Sequence, residues 1–321
     1  MTSSFVPYPL KFKPILKDKL WGGSKLREVL TKNASEVAGE SWEVSGIAGS
    51  ESVVANGSLA GQSLPQLIAT FRDKLVGKKV FDRFGTEFPL LIKFIYANED
   101  LSIQVHPNDA QSDGFGKTEM WYVIWADEGA SLLSGFKSDV TKEVLREAIA
   151  SGEFDQYMNR VPVKAGDTFF IPANQVHTIG AGLLLAEIQQ SSDITYRIYD
   201  FDRVDLKGNK RELHVEQAFN VMNVSTETGK IDYVKEAELS QLVSCPEFVT
   251  NKYVFNTVRQ FQTNQDKFKI YLNVAGIAEV IFDQMTLSFN RGETIFLPAG
   301  LTMSVRPKGT CELLETFVGV S

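Results

Sequence analysis

The chain has 321 residues, 43% of them hydrophobic, which is enough to bury a substantial core in two domains or one large β unit. Its formal net charge is -7, and Lys and Arg are scattered without a basic run, so a nucleic-acid surface is excluded while a locally basic pocket for an anion is not. No apolar run approaches the roughly 18 residues of a membrane span, the start Met1-Thr-Ser-Ser-Phe lacks a secretory pattern, and Cys245 and Cys311 form no CxxC pair; a cytoplasmic protein without a disulfide framework or thiolate metal site is expected.

In chain order, short apolar or alternating runs recur between Gly, Pro and Asp: Ser41–Ser45, Leu90–Tyr96, Met120–Trp125, Thr168–Ile171 and Leu183–Ile188. This is the rhythm of a β-sandwich or jelly roll. Two stretches break it and predict helical insertions, Leu64 to Phe84 and Thr141 to Asn159. In the second, Val144, Leu145, Ala148 and Ile149 fall at helical spacing behind a Ser138-Asp139 start signal. His214 stands where a further helix opens, through Glu216 to Phe219, and reads as structural. Trp21 and Trp42 are expected to pack the barrel or brace a pocket wall.

An internal repeat fixes the organisation. Lys164-Ala-Gly-Asp-Thr-Phe-Phe-Ile-Pro-Ala173 aligns without gaps to Asn290-Arg-Gly-Glu-Thr-Ile-Phe-Leu-Pro-Ala299. In each copy a Gly-acid turn leads into an apolar strand that stops at Pro-Ala, because Gly supplies the turn and Pro cannot extend a central ladder. A period this long means two related domains rather than a solenoid. Four residues further on, His177 of the first copy stands opposite Met303 of the second, and no histidine follows His214. The repeat therefore predicts one His-based metal site, in the first domain.

The chain's three histidines include His106, in Gln104-Val-His106, and His177, with Lys117-Thr-Glu119 between them. Side chains alternate along a strand, so Gln104 and His106 share one face and Lys117 and Glu119 share another. If both faces look into a small barrel, Gln104, His106, Glu119 and His177 converge around one cation with a position left for substrate or water. The Gly-Asp turn, strand and Pro before His177 resemble the second cupin motif, and Gln-x-His followed by Glu resembles a variant of the first.

Leu20-Trp-Gly-Gly23, Gly39-Glu-Ser-Trp-Glu-Val-Ser45, Pro89-Leu-Leu-Ile-Lys-Phe94, Leu101-Ser-Ile-Gln-Val-His-Pro107, Gly116-Lys-Thr-Glu-Met-Trp121, His177-Thr-Ile-Gly180 and Thr195-Tyr-Arg-Ile-Tyr-Asp-Phe-Asp-Arg203 follow one another along most of the chain. In these motifs and their order the sequence resembles the type I mannose-6-phosphate isomerases, in their shorter bacterial two-domain form. The resemblance implies a mostly β protein of two cupin-type, jelly-roll β-barrels: a catalytic domain over residues 1–235 with helical insertions, and a smaller metal-free domain over 236–321. It implies one bound Zn2+ on Gln104, His106, Glu119 and His177, and a small-molecule sugar phosphate as substrate, interconverted between mannose 6-phosphate and fructose 6-phosphate. It places the family's essential arginine on Arg197, its acid/base glutamate on Glu187, and the lysine beside the metal glutamate on Lys117.

Aldose to ketose conversion through an enediolate needs a base and stabilised oxygens. Glu187 is assigned the proton, with Lys117 as the alternative, its pKa lowered by a neighbouring metal; Arg197 is assigned the enediolate. Ser102, Lys93 or Arg197 itself are the candidates for the phosphate. The structural alternative for Arg197 is an ion pair with Asp200 or Asp202. Two other functions fit the same residues: a cupin oxygenase with iron, and a non-catalytic module that binds sugar phosphate.

Overall fold

A computed structural model describes residues 7–319 apart from 139 and 206. Residues 1–6 of the start pattern and Asp139 of the expected helix signal lie outside the described residues. The chain is mostly β, and every pairing between its named strands is antiparallel. A seven-stranded sheet runs, edge to edge, Ile15–Asp18, Ala38–Val44, Leu90–Ala97, Leu183–Gln190, Glu119–Ala126, Thr168–Ile171 and Lys230–Ile231. A five-stranded sheet runs Tyr196–Tyr199, Ile103–Val105, His177–Thr178, Ser131–Phe136 and Met158–Pro162. From Leu239 onward the chain builds a second five-stranded sheet and a four-stranded one.

The repeat occupies the same place in both pairs of sheets. Gly166 and Gly292 take φ of +79° and +85°, a left-handed turn that glycine adopts without a Cβ penalty. Asp167 Oδ2 and Glu293 Oε2 then accept the backbone N–H of Lys164 and Asn290, at 3.0 and 2.5 Å, and lock the turns. The strands that follow, Thr168–Ile171 and Thr294–Leu297, end at Pro-Ala, and the chain crosses to the companion sheet at His177–Thr178 and at Thr302–Pro307. Met303 is buried among Phe261, Phe289 and Val305.

The first insertion is three short helices, Leu64–Phe71, Asp73–Val76 and Lys78–Phe84, opened by a Ser63/Gln66 capping box with Pro65 in the first turn. The second is shorter than its spacing predicts. Thr141 caps it, accepting the Val144 N–H, and the helix covers Lys142–Ser151. Gly152, at φ 73°, terminates it in the left-handed C-terminal position, and after a single 3-10 turn Met158–Pro162 joins a sheet as a strand. The His214 opening is borne out: a helix runs Val215–Val221 from it.

One apolar cluster ties the early and late sheets together. Phe296 stacks on Phe268 at 4.9 Å and meets Phe12 and Phe88 at 6.1 and 6.3 Å, while Leu10 and Phe296 exchange two backbone hydrogen bonds. No helix among the described residues is long and apolar enough to cross a membrane.

Candidate active site

Register places the site residues in rows. Across the five-stranded sheet, Arg197 stands opposite Gln104, Gln104 opposite His177, and His177 opposite Ser134. Across the seven-stranded sheet, one row reads Ile15, Trp42, Lys93, Glu187, Trp121, Phe169; Gln189 and Glu119, each two residues along, share its face. Directly opposed residues point to the same side of a sheet. The two faces meet at His106, Glu119 and His177, whose ligand atoms lie within 4.8 Å of one another and are buried; it is the one such group of His, Cys, Asp or Glu among the described residues.

The imidazoles are preset as ligands. His106 Nδ1–H donates to the Ile194 carbonyl at 2.8 Å and His177 Nδ1–H to the Gln175 carbonyl at 2.9 Å, so both Nε2 lone pairs face the cluster. Glu119 puts Oε1 at 3.4 Å from His177 Nε2 and Oε2 at 3.7 Å from His106 Nε2, and the Gln104 amide nitrogen is 3.4 Å from His177 Nε2, a place that a half-turn of the amide gives to its oxygen. Ligands about 2.1 Å from a tetrahedral cation stand about 3.4 Å apart, so these separations fit one. A second observation agrees. Glu119 is fully buried, yet neither carboxylate oxygen has a hydrogen bond of good geometry, leaving Oε2 with only the Lys117 ammonium at 2.9 Å. A buried anion so poorly satisfied is costly unless a cation completes it.

Burial sets the protonation states. It pushes His106 well below its ordinary value, with Lys117 and His177 adding to the effect, and lowers His177 to about 4, which keeps both rings neutral. Burial also raises Glu119 against the pull of Lys117. Glu187 is lowered: burial opposes its charge, but Lys93 and Lys117 outweigh burial, Lys93 donating to Oε1 at 3.0 Å and Trp121 Nε1–H to Oε2 at 3.1 Å. For Lys117 the protein's own charges act against the lowering expected of a metal. Despite burial, Glu119 and Glu187 raise it, so it is held as an ammonium, 3.1 Å from His106 Nε2.

These groups floor a cavity of about 290 Å³ lined by Gln104, Lys117, Glu187, Arg197, Ser102 and Lys93. All but three of the nine site residues singled out in the sequence line it, and those three are the His106, Glu119 and His177 cluster just beneath.

Three comparisons with known proteins bear on this arrangement. Residues 10–125 match the family described as phosphomannose isomerase type I, catalytic domain. The mannose-6-phosphate isomerase of Streptococcus mutans is 38% identical over 299 residues, 90% of this chain and 92% of that protein. The chain belongs to the type I mannose-6-phosphate isomerase family. A second relative, from Bacillus subtilis, is 36% identical over 91% of this chain and 94% of its own length. The crystal structure of a Bacillus subtilis mannose 6-phosphate isomerase superposes with a TM-score of 0.85 at 33% identity, over 96% of this chain and 99% of that one.

Within that family frame, Arg197 departs from its structural reading, and the phosphate candidates Lys93 and Ser102 have partners of their own. Arg197 makes no ion pair with Asp200 or Asp202. Asp200 is taken by Arg203, at 2.7 Å, and by Arg211, and Asp202 by Lys210 at 2.6 Å. Arg197 donates from Nη1 to the Glu212 carbonyl at 2.7 Å, and its Nε–H has no acceptor. Lys93, a phosphate candidate, has its charge already answered by Glu187, and Ser102 donates to Gln104 Oε1 at 3.2 Å.

Sequence reasoning missed Lys17, Lys19, Glu40 and Arg211, which also line the cavity. A signal existed for Glu40, which stands two residues before Trp42 in a motif already singled out. Lys17 and Lys19 flank a short polar edge and are located only by the register, which sets Lys17 opposite Glu40. The expected bracing role of Trp21 and Trp42 is realised, since both line the cavity wall.

Proposed function

We propose that this chain interconverts mannose 6-phosphate and fructose 6-phosphate, with one divalent metal held by Gln104, His106, Glu119 and His177. The observation that carries the proposal is the pairing of a preset, cation-shaped ligand cluster with an ionised buried carboxylate, Glu187, in one small cavity richer in cations than in acids. Two imidazoles, a carboxylate and an amide oxygen suit zinc. When bound, that metal supplies Lewis acidity toward the sugar's carbonyl and hydroxyl oxygens.

The protein's own groups carry the remaining chemistry. Glu187, kept ionised by Lys93 and Lys117, accepts the proton from C2 and returns it to C1 in the aldose to ketose direction. Lys117, kept as an ammonium, is better suited to donate hydrogen bonds to the enediolate oxygens than to act as the base. Arg197 stands two strands from His177, with Gln104 between them, has a free Nε–H, and serves the same developing charge. The cationic lining draws in a dianionic substrate. These features favour an isomerase over an oxygenase or a passive binder on the same scaffold.

We also propose that the two pairs of sheets are two cupin-type barrels: a catalytic one over residues 1–235 and a metal-free one over 236–321. The shared Gly-acid turn, and the chain's identical crossing between sheets after Pro-Ala, support this. The test of function is formation of fructose 6-phosphate from mannose 6-phosphate, followed before chelation, after it, and after zinc is returned. Activity lost and regained supports the proposal, and no conversion by zinc-loaded protein sinks it. Oxygen uptake with bound iron would favour the oxygenase.

A further inference from the structure

The charged groups that line the catalytic cavity separate into those that are paired and those that are not. Lys19 lies 3.1 Å from Glu40, Lys93 3.0 Å from Glu187 and Lys117 2.9 Å from Glu119, and Arg211 is held by Asp200. Among the cations that leaves Arg197 and Lys17, neither of which makes an ion pair. The remaining acid of the lining, Asp193, is exposed.

The two free cations sit on the edge strands of different sheets. Arg197 is the cross-strand neighbour of the metal-side Gln104. Lys17 is on the edge strand Ile15–Asp18, with its ammonium 3.4 Å from the centre of the Trp42 ring and 3.2 Å from Ser50 Oγ. Trp42 lies next to Lys93, whose ammonium is 5.1 Å from the same ring and 3.0 Å from Glu187. Those steps put the Lys17 ammonium within about 12 Å of the Glu187 carboxylate. In an extended hexose 6-phosphate about 8 Å separates C2 from phosphorus, at ~1.3 Å of advance per bond. Adding a hydrogen-bond length of about 3 Å at each end gives a span that reaches Lys17.

We propose that Lys17, seated on the face of Trp42, is the phosphate-binding cation of this site, in place of the Lys93 and Ser102 suggested by sequence. Lys93 and Ser102 already serve Glu187 and Gln104. Lys17 instead lines the cavity without a direct ion pair, the acids that act on it being Glu40, which Lys19 holds, and the exposed Asp193, and a phosphate dianion supplies the direct partner. The aromatic face below holds the ammonium in position by cation–π attraction without neutralising it. The proposal rests on the isomerase reading for the identity of the phosphate ester, but not for the binding of phosphate itself.

The test compares zinc-loaded wild type with Lys17→Met and Lys17→Arg. Lys17→Met should raise KM for mannose 6-phosphate, and the inhibition constant of inorganic phosphate, by about tenfold each, as expected for one lost charge-assisted contact. Turnover should change less than about threefold, since the lost interaction is made equally in ground and transition states. Lys17→Arg should recover most of the loss. Unaltered KM and phosphate inhibition in Lys17→Met, or a fall in kcat at constant KM, overturns the proposal. Circular dichroism checks that the variants are folded, and Lys17→Gln replaces Lys17→Met if the latter is not. Should wild type fail to convert mannose 6-phosphate, the isomerase reading falls; calorimetric titration of inorganic phosphate into wild type and Lys17→Met still decides this one, with weaker binding to the variant supporting it and equal binding refuting it.

Discussion

Glu119 carries the metal reading at the scale of single residues, because nothing but a cation, or the neighbouring ammonium, answers its buried charge. Glu119→Gln removes the one anionic ligand while keeping its shape, and zinc content after gel filtration should fall from near one per chain to below about a tenth, measured by atomic absorption; a metal site of this donor set loses most of its affinity with its carboxylate. Retention of stoichiometric zinc would move the ligand role elsewhere. Glu187 and Lys117 are separated by exchange of the C2 proton with deuterated solvent. Glu187→Gln should abolish exchange and reduce kcat by about 10³, within the range for a lost general base, whereas Lys117→Met should slow exchange without abolishing it. Exchange surviving in Glu187→Gln but not in Lys117→Met would reverse the two roles. The ligands were legible in the sequence because strand alternation and the repeat put unusual residues on shared faces, whereas Glu187 was reached only through the family resemblance. Lys17 and Arg211 were not, since a lone charge near a short edge strand or loop reads as solvated surface until the register and the Asp200 pairing locate it.

At the scale of elements, the repeated turn makes a quantitative comparison available. Gly166 and Gly292 share a left-handed φ, but an added Cβ at Gly166 would meet the flexible Lys235 side chain at 3.3 Å, whereas at Gly292 it would lie 2.8 Å from the Leu30 carbonyl oxygen and 2.7 Å from its Cβ. Gly166→Ala should therefore cost about 1 to 2 kcal/mol of conformational strain. Gly292→Ala adds a steric cost of about 1 to 3 kcal/mol, because the backbone at Leu30 has to shift. Urea midpoints for the two variants check the order, and equal shifts would mean that the turn's strain alone matters. The long inner strands were legible because they are continuous apolar or alternating runs; Leu90–Ala97 and Leu183–Gln190 are buried along their whole length. Short polar edges such as Ile15–Asp18 and Lys230–Ile231 carry no such pattern and become strands through their neighbours' hydrogen bonds. The second insertion was read as far as Asn159 on the spacing of Val144, Leu145, Ala148 and Ile149, while Gly152 had already set the stop.

For the whole molecule, the question is whether the early and late sheets unfold separately or together. Phe296 belongs to a late strand, yet its ring packs on Phe12 and Phe88 as well as on Phe268, and its backbone pairs with Leu10. A separate transition for each half would require this cluster to open while both flanking cores stayed closed, exposing several large aromatic rings to water at once. The distribution of tryptophan offers a clean readout. Trp21, Trp42, Trp121 and Trp125 all precede residue 235, so fluorescence follows the early sheets alone while far-ultraviolet circular dichroism follows every sheet. Phe296→Ala empties a fully buried site and should cost about 3 to 5 kcal/mol. If the cluster couples the halves, the fluorescence midpoint moves down in urea by the same amount as the dichroism midpoint, although the substituted residue lies in the half that has no tryptophan. A fluorescence curve that stays in place while the dichroism curve splits would show two independent units. Added zinc discriminates further, because a ligand bound only by the folded early sheets raises the stability of whatever unfolds with them. In a coupled molecule zinc should lift both midpoints of Phe296→Ala in parallel.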